Sequence, residues 1–70
     1  MNQVTAIYQN GEIGYGESEN LDYAIEECLA SISPMFENEN IVLQMLHGEE
    51  FHRVHCRLYL NMNGELAIVQ

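Results

Sequence analysis

Asn20-Leu21-Asp22-Tyr23-Ala24-Ile25-Glu26-Glu27-Cys28-Leu29-Ala30-Ser31-Ile32-Ser33-Pro34 is the stretch whose apolar residues recur with a helical period. Leu21, Ala24, Ile25, Cys28, Leu29 and Ile32 fall at i, i+3, i+4, i+7, i+8 and i+11, the buried stripe of an amphipathic helix. Asn20 or Ser18 can accept hydrogen bonds from the first free amides, and acidic side chains gather where the helix dipole favours them. Pro34 ends the helix, because the residue before a proline is pushed out of helical geometry. The spacing predicts a helix from about 20 to 32, with Glu19, Asp22, Tyr23, Glu26, Glu27 and Ala30 on its solvent side.

On the N-terminal side of this helix the period is two. Residues 4 to 16 alternate around Asn10-Gly11, the strongest local signal for a hairpin. A two-residue turn at Asn10-Gly11 sets Tyr8 opposite Ile13 and Ala6 opposite Tyr15. Val4, Ala6, Tyr8, Ile13 and Tyr15 then share the buried face; Thr5, Gln9, Glu12, Gly14 and Gly16 share the other, with Ile7 the apolar misfit.

On the C-terminal side, a short connection holding Met35 and Phe36 leads to a strand from Ile41 to Leu46, a turn over 47 to 50, and a long strand from Phe51 to Asn61. His52, Val54, Cys56, Leu58 and Leu60 point one way, toward the core, and Phe51, Arg53, His55, Arg57 and Tyr59 the other. At the second Asn-Gly, a two-residue turn at Asn63-Gly64 would leave Leu66 and Ile68 facing away from the core. A three-residue loop with Gly64 in the left-handed position pairs Leu60 with Leu66 and Leu58 with Ile68, so burial selects the longer loop.

The fold class expected is α+β: residues 1–70 form a single small domain, ββαβββ, an antiparallel sheet with one amphipathic helix packed on one face. One helix covers only one face of such a sheet. The other should present Ile7, Val42, Leu46, Phe51 and Tyr59 among Thr5, Gln44, Arg53, His55 and Arg57, a patch too apolar to be idle surface.

The 70 residues carry 11 acidic side chains against two arginines and no lysine, a formal charge of -9. Nucleic acids and anionic membranes are bound through Lys and Arg, so direct binding to either is not expected. No apolar run approaches a membrane span and no signal-peptide pattern is present, which reads as a cytoplasmic protein. Cys28 and Cys56 are too few for a disulfide framework and read as reduced, buried thiols.

Motifs that could carry chemistry are better explained otherwise. His47, His52, His55 and Cys56 lie close in sequence, but neighbours in a strand point to opposite faces and cannot converge on one zinc ion. Cys28 sits beside Glu26 and Glu27, which disfavour a thiolate nucleophile. Glu26-Glu27 and Glu49-Glu50 lack a cleft to face each other across. Gly14-Tyr15-Gly16 leads into Glu17 and Glu19, which would repel a phosphate. No catalytic residue, cofactor or metal is therefore expected.

Charge is the remaining signal. Asp22 and Glu26 stand one helical turn apart with Glu19 and Glu27 beside them, carboxylates about 5 to 6 Å apart at the Cβ level. In type, such a small, lysine-poor, acidic chain is similar to phage-encoded DNA mimics, including anti-restriction and anti-CRISPR inhibitors, although no motif is shared. The reading is a non-enzymatic acidic interaction protein that inhibits a basic, nucleic-acid-binding host protein or complex through Glu19, Asp22, Glu26 and Glu27. The alternative is a small homodimeric assembly or regulatory module acting through Leu46, Phe51, Arg53, His55, Arg57 and Tyr59 on the open sheet face.

Overall fold

Gly14 and Gly16 decide how the layers meet. The computed structural model describes all 70 residues, and in it the helix α1 (Leu21–Ser31) rests directly on these two glycines of β2 (Gly11–Ser18). A Cβ at position 16 would lie 2.2 Å from the Ala24 carbonyl oxygen and 2.4 Å from the Cys28 nitrogen. One at position 14 would meet Ile32 at 2.5 Å and the Cys28 carbonyl at 2.9 Å. Only a residue without a side chain lets strand and helix backbones approach this closely.

The strands are β1 (Asn2–Tyr8), β2, β3 (Asn40–His47), β4 (Glu50–Leu60) and β5 (Leu66–Val69), with a short 3-10 turn at Pro34–Phe36. They form one antiparallel sheet in the order β2-β1-β3-β4-β5, so β1 is flanked on both sides. The α+β architecture expected from the pattern is the one observed, with α1 on one face.

Asn20 caps the helix, its side-chain oxygen accepting from the Asp22 and Tyr23 amides at 2.8 and 3.3 Å. Ala24, Cys28 and Ile32 are buried, and Leu21, Ile25 and Leu29 pack beside them. The sheet contributes Val4, Ala6, Ile41, Leu43, Cys56 and Leu58 to this core. Tyr8 and Phe36 close one end, edge to face with ring centres 5.4 Å apart.

The first hairpin departs from the expected register. Its turn is Gln9-Asn10, both with positive φ (50° and 68°), and Tyr8 pairs with Gly11. The ladder then slips between Ala6 and Ile7, so that Ala6 faces Gly14, Val4 faces Gly16 and Thr5 faces Tyr15, with Ile13 as the extra residue. Gly14 and Gly16 therefore face inward and Tyr15 faces outward, the reverse of the expectation for all three. The bulge leaves Ile13 packed against the core all the same, since an inserted residue re-aims one side chain without turning the whole strand.

The second Asn-Gly behaves as burial requires. Leu60 pairs with Leu66 and Leu58 with Ile68, and Gly64 has φ 78°. The Asn61 side chain holds the loop by accepting from the Asn63 and Glu65 amides at 2.9 and 3.0 Å. On β4 the inward face is as predicted, but its ends are not covered: His52 and Leu60 are exposed while Cys56 and Leu58 are buried. The helix lies over β1 and β2 and does not reach them.

Asn2 is the buried polar residue of the core. Its amide donates to the Ser18 and Glu19 carbonyls at 3.1 and 2.8 Å and its oxygen meets Nδ1 of His47, tying β1 to the β2–α1 junction and to the end of β3.

Gly16→Ala should lower unfolding free energy by about 3 kcal/mol or more, the upper part of the range for overpacking, because the obstructing atoms are backbone. Gly48→Ala, at φ 63° with open space around it, should cost only about 1 kcal/mol for the left-handed geometry. Urea titrations of both variants by circular dichroism check this; equal costs would remove the close contact as the controlling feature.

Candidate functional site

The helix carries its acidic residues entirely on the solvent side. Glu19, Asp22, Glu26 and Glu27 are all exposed, and no basic side chain lies within salt-bridge distance of any of them. Glu19 precedes the Asn20 cap and so stands outside the helix, contrary to expectation. Asp22, Glu26 and Glu27 are divided between two shoulders, because successive helical residues are turned by about 100°. Asp22 and Glu26 share a row, and Glu26 borders a groove of about 820 Å³ between α1 and β5 that also holds Leu29, Glu65, Leu66 and Ile68. Glu27 lies on the opposite shoulder, above β2, where with Glu12 and Glu17 it adds to the negative field around Tyr15. Tyr23, 63% exposed, stands on the ridge between them.

The other face of the sheet is uncovered. Cross-strand pairing aligns Thr5 with Gln44 and Gln44 with Arg53, Ile7 with Val42 and Val42 with His55, and Leu46 with Phe51. Tyr59 lies beside Ala67 and Arg57 beside Asn40 and Val69. All six residues expected on this face, Leu46, Phe51, Arg53, His55, Arg57 and Tyr59, are exposed there. Arg53, His55 and Arg57 alternate along β4 and border a shallow depression of about 660 Å³ floored by Ile7 and Val42. Neither arginine makes an ion pair, and the contact between His52 and Glu50 at 3.3 Å is the sole histidine–carboxylate pair.

The helix surface is thus acidic, whereas the open face is mixed, with Arg53, His55 and Arg57 on β4 and Glu12 and Glu17 three strands away on β2. The strand period sends both arginines outward from the sheet, while the helix period sends the carboxylates outward from the other layer. Tyr23 is exposed among the acids, as the helical period places it; what pattern reading missed is the unpaired state of the arginines. Nothing in a linear sequence reports which charges find partners.

The thiols are chemically quiet. Burial pushes Cys28 up from 9.0 to about 11, a hydrogen bond with the Ala6 backbone opposes this, and Glu12 and Cys56 add to the rise. Burial likewise raises Cys56. Cys56 faces the core while His55 faces solvent, and no group of three or more His, Cys, Asp or Glu side chains could hold a metal ion. Tyr8 is also held above its ordinary 10.0, chiefly by hydrogen bonding to Glu39. No helix is long and apolar enough to cross a membrane.

Compared with known proteins, the chain matches no family model, no curated sequence and no solved structure.

Two outcomes follow for Cys28. A thiol reagent at pH 8 should modify neither cysteine in the folded protein and both in urea, since the thiolate is the reactive form. Because the folded pKa lies above the unfolded one, the stabilisation is complete below pH 9 and is lost as pH rises toward 11. Thermal melts across that window should show falling stability, in part reduced by Cys28→Ala; rapid native-state labelling would contradict the buried assignment.

Proposed function

We propose that this chain is a non-enzymatic acidic interaction protein that occupies a basic, nucleic-acid-binding surface of a partner protein, in the manner of a phage or mobile-element anti-restriction or anti-CRISPR DNA mimic. The observation that carries this reading is that Glu19, just ahead of the helix, and Asp22, Glu26 and Glu27 on it are all exposed and lack any counter-charge within the molecule. Asp22 and Glu26, one helical turn and about 5 to 6 Å apart at the Cβ level, with Glu19 and Glu27 nearby, offer the anions that Lys and Arg of a phosphate-binding surface pair with. Their field also steers encounter, since clustered charge of one sign raises association rates with an oppositely charged partner. Tyr23 on the same ridge can supply an aromatic contact of the kind enriched at interface centres.

The second reading is a homodimeric assembly or regulatory module. It is favoured by the exposed cross-strand pair Leu46 and Phe51, the latter 56% exposed. Face-to-face pairing of two copies would also confront Arg53 and Arg57 with their own counterparts, which ranks it second.

The test is the combined variant Glu19→Gln, Asp22→Asn, Glu26→Gln and Glu27→Gln. It should keep the fold, since every position is exposed, and weaken binding to a nucleic-acid-binding partner by several-fold or more per carboxylate. Its salt dependence should flatten, because fewer exposed charges are screened. Titrations at two ionic strengths, with a nucleic-acid competitor in parallel, decide it. Unchanged affinity, or simultaneous binding of this chain and nucleic acid to the partner, would move the assignment to the sheet face.

A further inference from the structure

The sheet has two edges, and they differ. At β2 the helix leans over the strand, and the Tyr15 amide is taken by the Ser31 hydroxyl at 2.9 Å. At the other side β5 pairs only with Arg57–Leu60. Residues 50–56 of β4 are bonded to β3 on one side and have no strand on the other. This free stretch is long and regular: its register with β3 runs unbroken from His47↔Glu50 to Ile41↔Cys56, and it contains neither proline nor bulge. Such an edge is a template for another strand, with main-chain hydrogen bonds giving affinity and alternate side chains giving selectivity.

The side chains along this edge are the basic ones. Arg53 and His55 lie on the open face of the free stretch and Arg57 follows at its end, with neither arginine paired to a carboxylate of the molecule. We propose that the free edge of β4 binds an extended acidic peptide as an added strand, collinear with β5, with its carboxylates on the open face beside Arg53, His55 and Arg57.

Alternate residues of an added strand share a face, so acidic side chains at every second position line up with Arg53 and His55, and Arg57 is the next diagonal neighbour. Ile7 and Val42 in the adjoining depression leave these charges bordered by apolar surface, where pairing is screened less than in open water. The helix carboxylates lie on the opposite side of the sheet. Glu12 and Glu17, on the open face of β2, stand three strands from β4, about 14 Å at the usual strand spacing and beyond the screening length of about 8 Å at physiological salt. Glu49 and Glu50 sit at the turn end of the edge, so acidic residues are favoured toward His55 and disfavoured toward the turn. Edge-to-edge pairing of two copies brings the two cationic stretches together, which is why an acidic strand is the occupant chosen.

The probe is a fluorescein-labelled peptide alternating Glu and Thr, long enough to lie along residues 50–56, titrated with the whole chain by anisotropy. Saturable binding is expected, lost when Lys replaces Glu in the peptide and weakened about tenfold in protein carrying Arg53→Gln with Arg57→Gln. N-methylation of alternate peptide amides should abolish binding, and this arm leaves the protein untouched should the arginine variants unfold. Equal binding of the Lys peptide, or full binding of the N-methylated one, would overturn the proposal. So would the absence of peptide binding together with a doubled mass by light scattering, which assigns the edge to a second copy.

Discussion

The contact of the Gly16 backbone with the helix backbone at Ala24 and Cys28 governs the arrangement of everything else. It brings α1 low over β2 and β1, so the helix residues at the contact must be small, and they are Ala24 and Cys28. The larger members of the stripe, Ile25, Leu29 and Ile32, are then free to lean outward across the sheet, where Ile41, Leu43, Cys56 and Leu58 complete the core. Nothing remains to cover the distal ends of β4, and His52 and Leu60 are left in solvent. A higher-riding helix would cover more strands but leave a void above the hairpin, which close packing does not tolerate.

The same layering sorts charge. A chain with 11 carboxylates and two arginines could have neutralised both arginines internally. Instead β4 presents them on the face that the helix never reaches, and the helix shows only carboxylates. With no intramolecular ion pair to hold them, these side chains keep their rotamer freedom, which any binding event that fixed them would cost. The basic side chains thus gather at β4, three strands from Glu12 and Glu17 on β2 and on the opposite side of the sheet from the helix carboxylates.

Much of this architecture is legible in the linear pattern, and where it is not the cause is specific. The helix, its Asn20 cap and the three-residue loop at Gly64 follow from periodicity, capping and burial, effects local in sequence. The first hairpin was not legible because two signals compete within three residues. Asn10-Gly11 has the preferred turn composition, yet the turn is Gln9-Asn10, and the register is set by a helix some ten residues further on that demands glycine on the inner face. A tertiary contact thereby overrides a turn preference of the kind that decides isolated hairpins. For the surfaces, the exposed positions on α1 and β4 follow from alternation, whereas the free edge depends on β5 being only four residues long. Asn2 was equally hidden: nothing marks an asparagine in a strand as a buried link until its three partners are assembled around it.

The strand order also divides the chain in time. Residues 2–31 form a ββα unit and residues 40–69 a meander of three strands, each closed by neighbours in sequence. The two halves join mainly along the seam between β1 and β3, whose paired residues lie 35 to 45 positions apart. Closing so long a loop is entropically the slowest step, so a nascent chain can shape its first half but must leave β1 with one side unpaired until β3 emerges. During that interval the inner strand of the finished sheet is itself an edge, and the molecule is most prone to pairing with the wrong strand before its own arrives.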